Sequence, residues 1–124
     1  MELKKILVVD DEVFMREATS ASLKVCGFEV VKAKNGQEGL KMAASEQPDL
    51  IFLDYMMPDL DGLQVAVELG KNPVVAHIPI VMLSSKAEAP DIEKAKVVGI
   101  QHYLRKPIDP TELKLFLDKE FLEK

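Results

Sequence analysis

The sequence is poor in cysteine and in basic charge, and both shortages exclude functions. Its one cysteine, Cys26, has no partner for an internal disulfide, so the fold requires no oxidising compartment. We expect Cys26 to be a small buried hydrophobic residue at the end of an apolar helix. Lys and Arg number 16 against 21 Asp and Glu, which gives a formal net charge of -5. This balance disfavours non-specific binding to nucleic acid or to anionic lipid.

Long apolar runs are also missing. The first run, Ile6–Val9, stops at Asp10 and is far too short for a signal peptide or a membrane span. We therefore expect a cytoplasmic protein that makes no contact with a membrane.

What is present is the composition of one globular domain. With 124 residues, of which 48% are hydrophobic and 30% are charged, the chain can bury a single core but not a second one. No linker, repeat or low-complexity segment interrupts it. We expect residues 1–124 to form one domain that carries the whole function.

Short apolar runs alternate with segments of helical length. The predicted strands are 6–9, 29–33, 50–53, 78–83 and 103–104, and the predicted helices are 12–26, 36–46, 62–71, 90–98 and 110–122. Continuous apolar runs are typical of strands that are buried on both faces of a parallel sheet. Because such crossovers are right-handed, the alternation predicts an α/β fold with an open, doubly wound, five-stranded parallel sheet.

The last helix has the clearest signals. Asp109 is its predicted N-cap, Pro110 its first residue, and Glu112 completes a capping box. A core-facing stripe follows at residues 113, 116, 117 and 121, while Leu115 and Leu122 fall off it, either facing a partner or widening the buried face. The first helix instead carries two partial stripes, 15, 18, 23, 26 and 14, 21, 25, so its inner face stays open.

Polar residues follow four of the five predicted strands. Asp10 and Asp11 follow the first strand, Asp54 the third, Ser84 the fourth and Lys106 the fifth. Open doubly wound sheets bind their ligands outside the carboxyl ends of the strands, so we expect these side chains to meet in one pocket.

The residue types in this pocket indicate phosphoryl transfer. Three carboxylates at close range repel one another unless a cation neutralises them, and Mg²⁺ prefers such hard oxygen ligands together with phosphate oxygens. A lysine and a hydroxyl would donate to the remaining phosphate oxygens, and a carboxylate can act as the nucleophile. Taken singly, Asp10 and Asp11 would more commonly cap a helix, and Lys106 would be a surface lysine.

At the level of motifs, the chain resembles the response regulator receiver domain. The matching segments are Val8–Asp11, Asp54–Gly62, Ser84 and Lys106–Pro107. Each motif alone is common, but they occur together, in order, at strand ends, and the likeness covers essentially the whole chain. The resemblance implies the flavodoxin-like (βα)₅ fold with strand order 2-1-3-4-5.

The resemblance also implies roles around the acids. Asp54 would be the phospho-acceptor, while Asp10 and Asp11 would hold Mg²⁺ directly or through water. Met56 would offer its main-chain carbonyl to the metal, and Asp54 would be a further ligand.

Four further residues take implied roles on the donor side of the pocket. Lys106 would pair with the phosphoryl oxygens, and the bond from Lys106 to Pro107 would be cis. The hydroxyl of Ser84 would move to bind the phosphoryl group, and Tyr103 would be the switch aromatic that turns inward as Ser84 moves.

The implied function is a signalling switch rather than an enzyme with a turning-over substrate. The phosphoryl donor would be a phosphohistidine on a sensor histidine kinase or on a histidine phosphotransfer protein. Phosphorylation would bias a face formed by the fourth helix, fifth strand and fifth helix, which is compatible with a phosphorylation-dependent dimer. Because no output domain follows residue 122, we expect a changed protein contact or onward phosphotransfer, and no direct contact with nucleic acid.

Other functions fit the residues less well. A Mg²⁺-dependent phosphohydrolase would need a second acid near Asp54 to protonate a leaving group, but position 56 is Met. An interaction module that keeps only the fold would not need the full set of acids, hydroxyl and lysine. Dinucleotide binding is disfavoured because the first strand leads into Asp10 and Asp11 rather than a glycine-rich loop.

Overall fold

The computed structural model describes residues 3–85 and 92–122, in which strands and helices alternate. The strands are Lys5–Val9 (β1), Glu29–Ala33 (β2), Leu50–Asp54 (β3), Ile80–Ser84 (β4) and His102–Arg105 (β5). The helices are Val13–Val25 (α1), Gly36–Glu46 (α2), Gly62–Gly70 (α3), Ile92–Val97 (α4) and Pro110–Leu117 (α5), and a π-helical turn follows at Asp118–Leu122. Within these ranges, no helix combines the length and the apolar character needed to cross a membrane.

The strands form one parallel sheet in the order β2-β1-β3-β4-β5. This confirms the predicted fold class and strand order. The register pairs Val9 with Leu53 and Asp54 with Leu83. The carboxyl ends of the central strands are therefore level with one another.

Two apolar layers cover the two faces of the sheet. Because successive side chains of a strand point to opposite faces, each buried strand contributes to both layers. One layer joins alternate strand residues to α2 and α3 and includes Leu7, Val9, Ile51, Leu53, Val65 and Leu69. The other layer joins the sheet to α1 and α5 and includes Ile6, Val8, Phe52, Leu23, Leu113 and Leu117.

Some predicted boundaries are wrong. Strand β4 begins at Ile80 rather than at residue 78, because Ile78 still belongs to a run of turns and donates its N–H to the Val75 carbonyl at 3.1 Å. Ile78 is nonetheless buried, which explains why it looked like part of the apolar run. Strand β5 is longer than predicted, and the first two residues of the predicted helix 90–98 lie outside the described residues.

The last helix starts at Pro110 with Asp109 as its N-cap, as predicted, but Glu112 does not complete the predicted capping box, and the helix ends differently. The Asp109 carboxylate caps it by accepting the Thr111 N–H at 2.7 Å, and the predicted stripe faces the core. The α-helix stops at Leu117, and the following residues form a π-helical turn instead of continuing to residue 122. The wider turn leaves the Phe121 ring 4.9 Å from that of His102. Leu115 is 66% exposed and so does not widen the buried face.

The inner face of α1 explains why no stripe was visible in the sequence. Its buried residues are Thr19, Ser20, Ser22 and Leu23, of which three carry hydroxyl groups. One of these, Ser20, donates its hydroxyl to the Arg16 carbonyl at 2.7 Å, so the buried oxygen is satisfied within the helix. Cys26 is half-buried rather than buried, and its Sγ lies 3.8 Å from the Pro110 carbonyl. The expectation for Cys26 was therefore wrong, because the helix end is only partly covered by α5.

Candidate functional site

Two carboxylates and one ammonium meet at the carboxyl end of the sheet. Lys106 Nζ lies 3.0 Å from Asp10 Oδ2 and 3.0 Å from Asp54 Oδ1. All three side chains are buried, with Asp10 fully inaccessible to solvent. Buried charges persist in proteins only when they are paired and hydrogen-bonded, and here one ammonium serves two acids.

The first strand and its turn fix Asp10. Its main-chain N–H donates to the Ala33 carbonyl at 3.1 Å, which extends the pairing of β1 with β2 by one residue. Its Oδ1 accepts the Glu12 N–H at 3.0 Å, and its main-chain carbonyl accepts from Arg16 Nη1 at 2.9 Å. With Oδ2 bonded to Lys106, both oxygens of the carboxylate are oriented.

Lys106 is fixed from the neighbouring strand. Its main-chain N–H donates to the Ser84 carbonyl at 2.8 Å, just beyond the last paired residues of β4 and β5. The peptide bond between Lys106 and Pro107 is cis. Ser84 itself is buried, and its neighbour Ser85 rather than Ser84 lines the cavity in front of the acids.

The surroundings of Asp54 disfavour its ionisation. Burial and the nearby negative charge of Asp10 raise the pKa of Asp54 to about 8, although Lys106 acts in the opposite direction. Burial alone would lower the pKa of Lys106, but Asp54 and Asp10 together raise it. The lysine is thus held charged, while a second negative charge beside Asp10 is disfavoured. A further cation would relieve this repulsion.

The acids provide a ligand set for such a cation. Carboxylate oxygens of Asp10, Asp11 and Asp54 all lie within 4.8 Å of one another, and Asp11 is the exposed member. Three hard oxygen donors at this spacing fit a divalent cation of the Mg²⁺ type, and the exposed side leaves room for water or phosphate oxygens.

An open cavity of about 370 Å³ lies in front of this cluster. Asp11, Asp54 and Lys106 line its polar side together with Ser85, and its other lining residues are Glu12, Met15, Met56 and Pro107. The side chain of Met56 is 53% exposed. Sequence reasoning did not predict that Glu12 and Met15 line the cavity. Glu12 directly follows the acid pair and Met15 lies in the first turn of α1, and this proximity in sequence was the available signal.

Tyr103 lies apart from the cavity lining. It is half-buried on the edge strand β5, and its hydroxyl donates to the Ile100 carbonyl at 3.0 Å. Residues 86–91, which precede α4 in the chain, lie outside the described residues.

The loop between β3 and α3 is held close to Asp54. The Gly62 N–H donates to the Tyr55 carbonyl at 2.8 Å, and a Cβ at Gly62 would lie 2.8 Å from the Asp54 carbonyl oxygen. Only glycine allows this approach. Asp61 then starts α3 with a full capping box in partnership with Gln64.

Comparison with known proteins identifies this arrangement. The sequence profile of the response regulator receiver domain matches residues 6–118 of the chain. The chain belongs to this family, which serves two-component signal transduction.

Its relatives include short and long proteins. The chain is 38% identical over 109 residues to Protein PilG of Pseudomonas aeruginosa, covering 88% of the chain and 81% of that protein. It is 37% identical over 110 residues to the phosphate regulon transcriptional regulatory protein PhoB of the same organism, covering 89% of the chain and 48% of that protein. The chain thus spans about half the length of PhoB.

Among solved structures, the chemotaxis protein CheY4 of Vibrio cholerae superposes with a TM-score of 0.86 at 30% identity, covering 95% of this chain and 98% of that one. A putative response regulator from Chloroflexus aurantiacus has the same TM-score at 27% identity, covering 99% of this chain and 100% of that one. Both agree with the five-stranded fold described above.

Proposed function

We propose that residues 1–124 form one receiver domain that switches when Asp54 accepts a phosphoryl group from a phosphohistidine. The observation that carries this proposal is the buried Asp54 carboxylate, 3.0 Å from Lys106 and within one oxygen cluster with Asp10 and Asp11. Asp54 also borders an open cavity, so a donor can reach it from solvent.

The reaction requires one bond to form and one to break. An Asp54 carboxylate oxygen attacks the phosphorus, and the P–N bond to the donor histidine breaks as the new P–O bond forms. The electron pair of the P–N bond stays with the ring, which leaves as neutral imidazole when its other nitrogen carries a proton. The product is an acyl phosphate on Asp54.

Asp10 and Asp11, with the main-chain carbonyl of Met56, would hold Mg²⁺ at this site. When bound, the ion supplies positive charge against the acids and the phosphoryl oxygens. Asp10 is pre-oriented for this task by Glu12 and Lys106, and Asp11 offers the exposed oxygen.

Lys106 and Ser84 would bind the transferred group. The ammonium of Lys106 already contacts Asp54, so it would be close enough to form an ion pair with the phosphoryl oxygens once Asp54 is phosphorylated. The hydroxyl of Ser84 would donate a second hydrogen bond and draw the following segment inward. Tyr103 would respond by giving up its hydrogen bond to Ile100 and turning inward.

The switched face would comprise α4, β5 and α5, and its product would be a changed protein contact, including a phosphorylation-dependent dimer, or onward phosphotransfer. A sensor histidine kinase or a histidine phosphotransfer protein would supply the phosphoryl group in the cytoplasm. PhoB is named as a transcriptional regulatory protein, but for this chain we favour a protein partner over direct DNA contact because the chain is acidic.

Acetyl phosphate tests the acceptor directly. The purified chain is incubated with acetyl phosphate and MgCl₂, and intact mass spectrometry is expected to show one added phosphoryl group. A parallel reaction that contains EDTA should show no added group. Asp54→Asn should show none. Asp49→Asn is the matched control, because Asp49 lies at the opposite end of β3 and binds the Lys4 and Lys5 N–H groups there. Labelling that persists in Asp54→Asn would show that the acceptor is misassigned.

A further inference from the structure

The loop between β3 and α3 is tied to α2 by an acid outside the metal cluster. One carboxylate oxygen of Asp59 accepts the Gly36 N–H at 3.0 Å, and the other accepts the Gln37 N–H at 2.8 Å. These amides are the first two of α2, which have no acceptor within their own helix. A single side chain therefore joins two elements at two points.

This tie is not needed to cap α2. Asn35 is already the N-cap, and its side chain accepts the Glu38 N–H at 2.8 Å. Burial would raise the pKa of Asp59, yet the N–H groups of Gln37 and Gly36 hold it below its usual value. The contact is thus charge-assisted and favours the ionised carboxylate.

The same loop lies directly on the first turn of α2. A Cβ at Gly36 would lie 2.8 Å from the Cβ of Leu60 and 3.3 Å from its carbonyl oxygen. The hydrogen bonds of Asp59 and the contact of Leu60 therefore place the loop against one rigid surface.

Met56 lies on the part of the loop that this contact secures. On its strand side, the Tyr55 N–H donates to the Leu83 carbonyl at 2.9 Å. Directly after it, Met57 is buried in the core. On its other side, Asp59 is three residues away and provides the attachment to α2. The main chain at Met56 is thus held from both directions.

We propose that Asp59 is a positioning residue that fixes the Met56 carbonyl in front of Asp10, Asp11 and Asp54 and thereby raises the affinity of the site for Mg²⁺. This inference rests on the proposed function, since it requires that the acid cluster binds the metal. Residues that orient metal ligands from behind commonly change metal affinity by about tenfold or more when they are replaced.

A pair of variants separates positioning from helix stability. Asp59→Ala and Asn35→Ala each remove acceptors from the start of α2, but only Asp59→Ala releases the loop. Mg²⁺ affinity is measured by titrating the metal-free protein with MgCl₂ and following the amide signals of Tyr55 and Met56 by NMR. We expect Asp59→Ala to weaken Mg²⁺ binding about tenfold and Asn35→Ala to leave it unchanged. Asp59→Asn, which keeps one acceptor oxygen for the two amides, should weaken Mg²⁺ binding by a smaller but measurable factor.

The possible results have distinct meanings. Equal Mg²⁺ affinity in Asp59→Ala and the unaltered chain would overturn the inference and leave the proposed function intact. Equal weakening in Asn35→Ala would also overturn it, because stability of α2 would then be the cause. If Asp59→Ala fails to fold, Asp59→Asn decides, and unchanged affinity there would overturn the inference. Absence of Mg²⁺ binding by the unaltered chain would overturn both the inference and the proposed function.

Discussion

Strand β3 contains two kinds of buried surface next to each other. Leu50–Leu53 are apolar and at most 1% exposed, while Asp54 at the end of the same strand carries an ionisable carboxyl group and is 3% exposed. The apolar part stabilises the fold by removing hydrocarbon from water. The polar end destabilises the fold, because Asp10 and Asp54 place two buried acids around one ammonium group. The comparison shows that apolar burial in the middle of the sheet offsets the free-energy cost of the buried polar groups at its carboxyl end.

The largest expected effect is the loss of stability when the apolar part of β3 is truncated. Phe52 is fully buried in the layer beneath α1 and α5, so Phe52→Ala should lower the free energy of unfolding by about 3–5 kcal/mol. Urea denaturation without Mg²⁺ measures the change. Asp54→Asn should raise the same quantity by about 1 kcal/mol, because it removes one of two adjacent acids and leaves Lys106 paired with Asp10. Similar losses in both variants would show that the two surfaces do not differ in this way.

A smaller effect tests whether a cation stabilises the polar end of the sheet. Mg²⁺ at a hundredfold excess over its Kd should stabilise the chain by about 2.7 kcal/mol, since only the folded state brings the acids together. Asp11→Asn should lose most of this gain, yet without metal it should change stability by less than about 0.5 kcal/mol because Asp11 is exposed. Thermal unfolding with and without MgCl₂ measures both values. An unchanged gain in Asp11→Asn would remove this residue from the metal site.

A third expected effect, smaller than the loss in Phe52→Ala, concerns the junction between the two surfaces. In Gly62→Ala the new Cβ would lie 2.8 Å from the Asp54 carbonyl oxygen and 3.2 Å from the Tyr55 Cα, and these backbone atoms cannot easily move away. We expect a loss of about 1–2 kcal/mol and slower labelling by acetyl phosphate. Gly70→Ala, at the other end of α3, is the control.

An added Cβ at Gly70 has no atom within 4 Å, so Gly70→Ala should keep both stability and labelling rate. Chemical denaturation gives the stability of each variant, and the time course of labelling gives the rate. Equal behaviour of the two alanine variants would show that the close approach at Gly62 does not constrain Asp54.

Sequence reasoning succeeded where one physical signal dominated. The cap at Asp109 and the apolar stripe placed the last helix and its buried face. It failed at α1, where the inner face is built largely from hydroxyl residues such as Thr19 and Ser22 that carry no hydrophobic periodicity. It also misplaced the start of β4, since burial of Ile78 in a turn looks the same in sequence as burial in a strand.

The candidate site divides in the same way. The residue types at the strand ends, read with the rule for parallel sheets, predicted a pocket of Asp10, Asp11, Asp54, Ser84 and Lys106, and the structure brings the three acids and the lysine together. Their different environments were not readable, because Asp10 and Asp11 are neighbours in sequence yet one is buried and the other exposed. The hydrogen bond from the Gly36 N–H to Asp59 joins residues that are 23 positions apart in the chain, so no local pattern could predict it.

The sequence by itself determined the order of strands and helices, the fold class and the chemical groups at the binding edge, because these depend on local periodicity and on residue type. Only the tertiary structure decided that Lys106 is shared by two acids and that the loop bearing Met56 is secured by α2. Lys106 and Asp10 are 96 residues apart in the chain. The distance between such groups follows from the register of the sheet and the packing of loops. That distance determines which of the groups are ionised and which ligands they can bind.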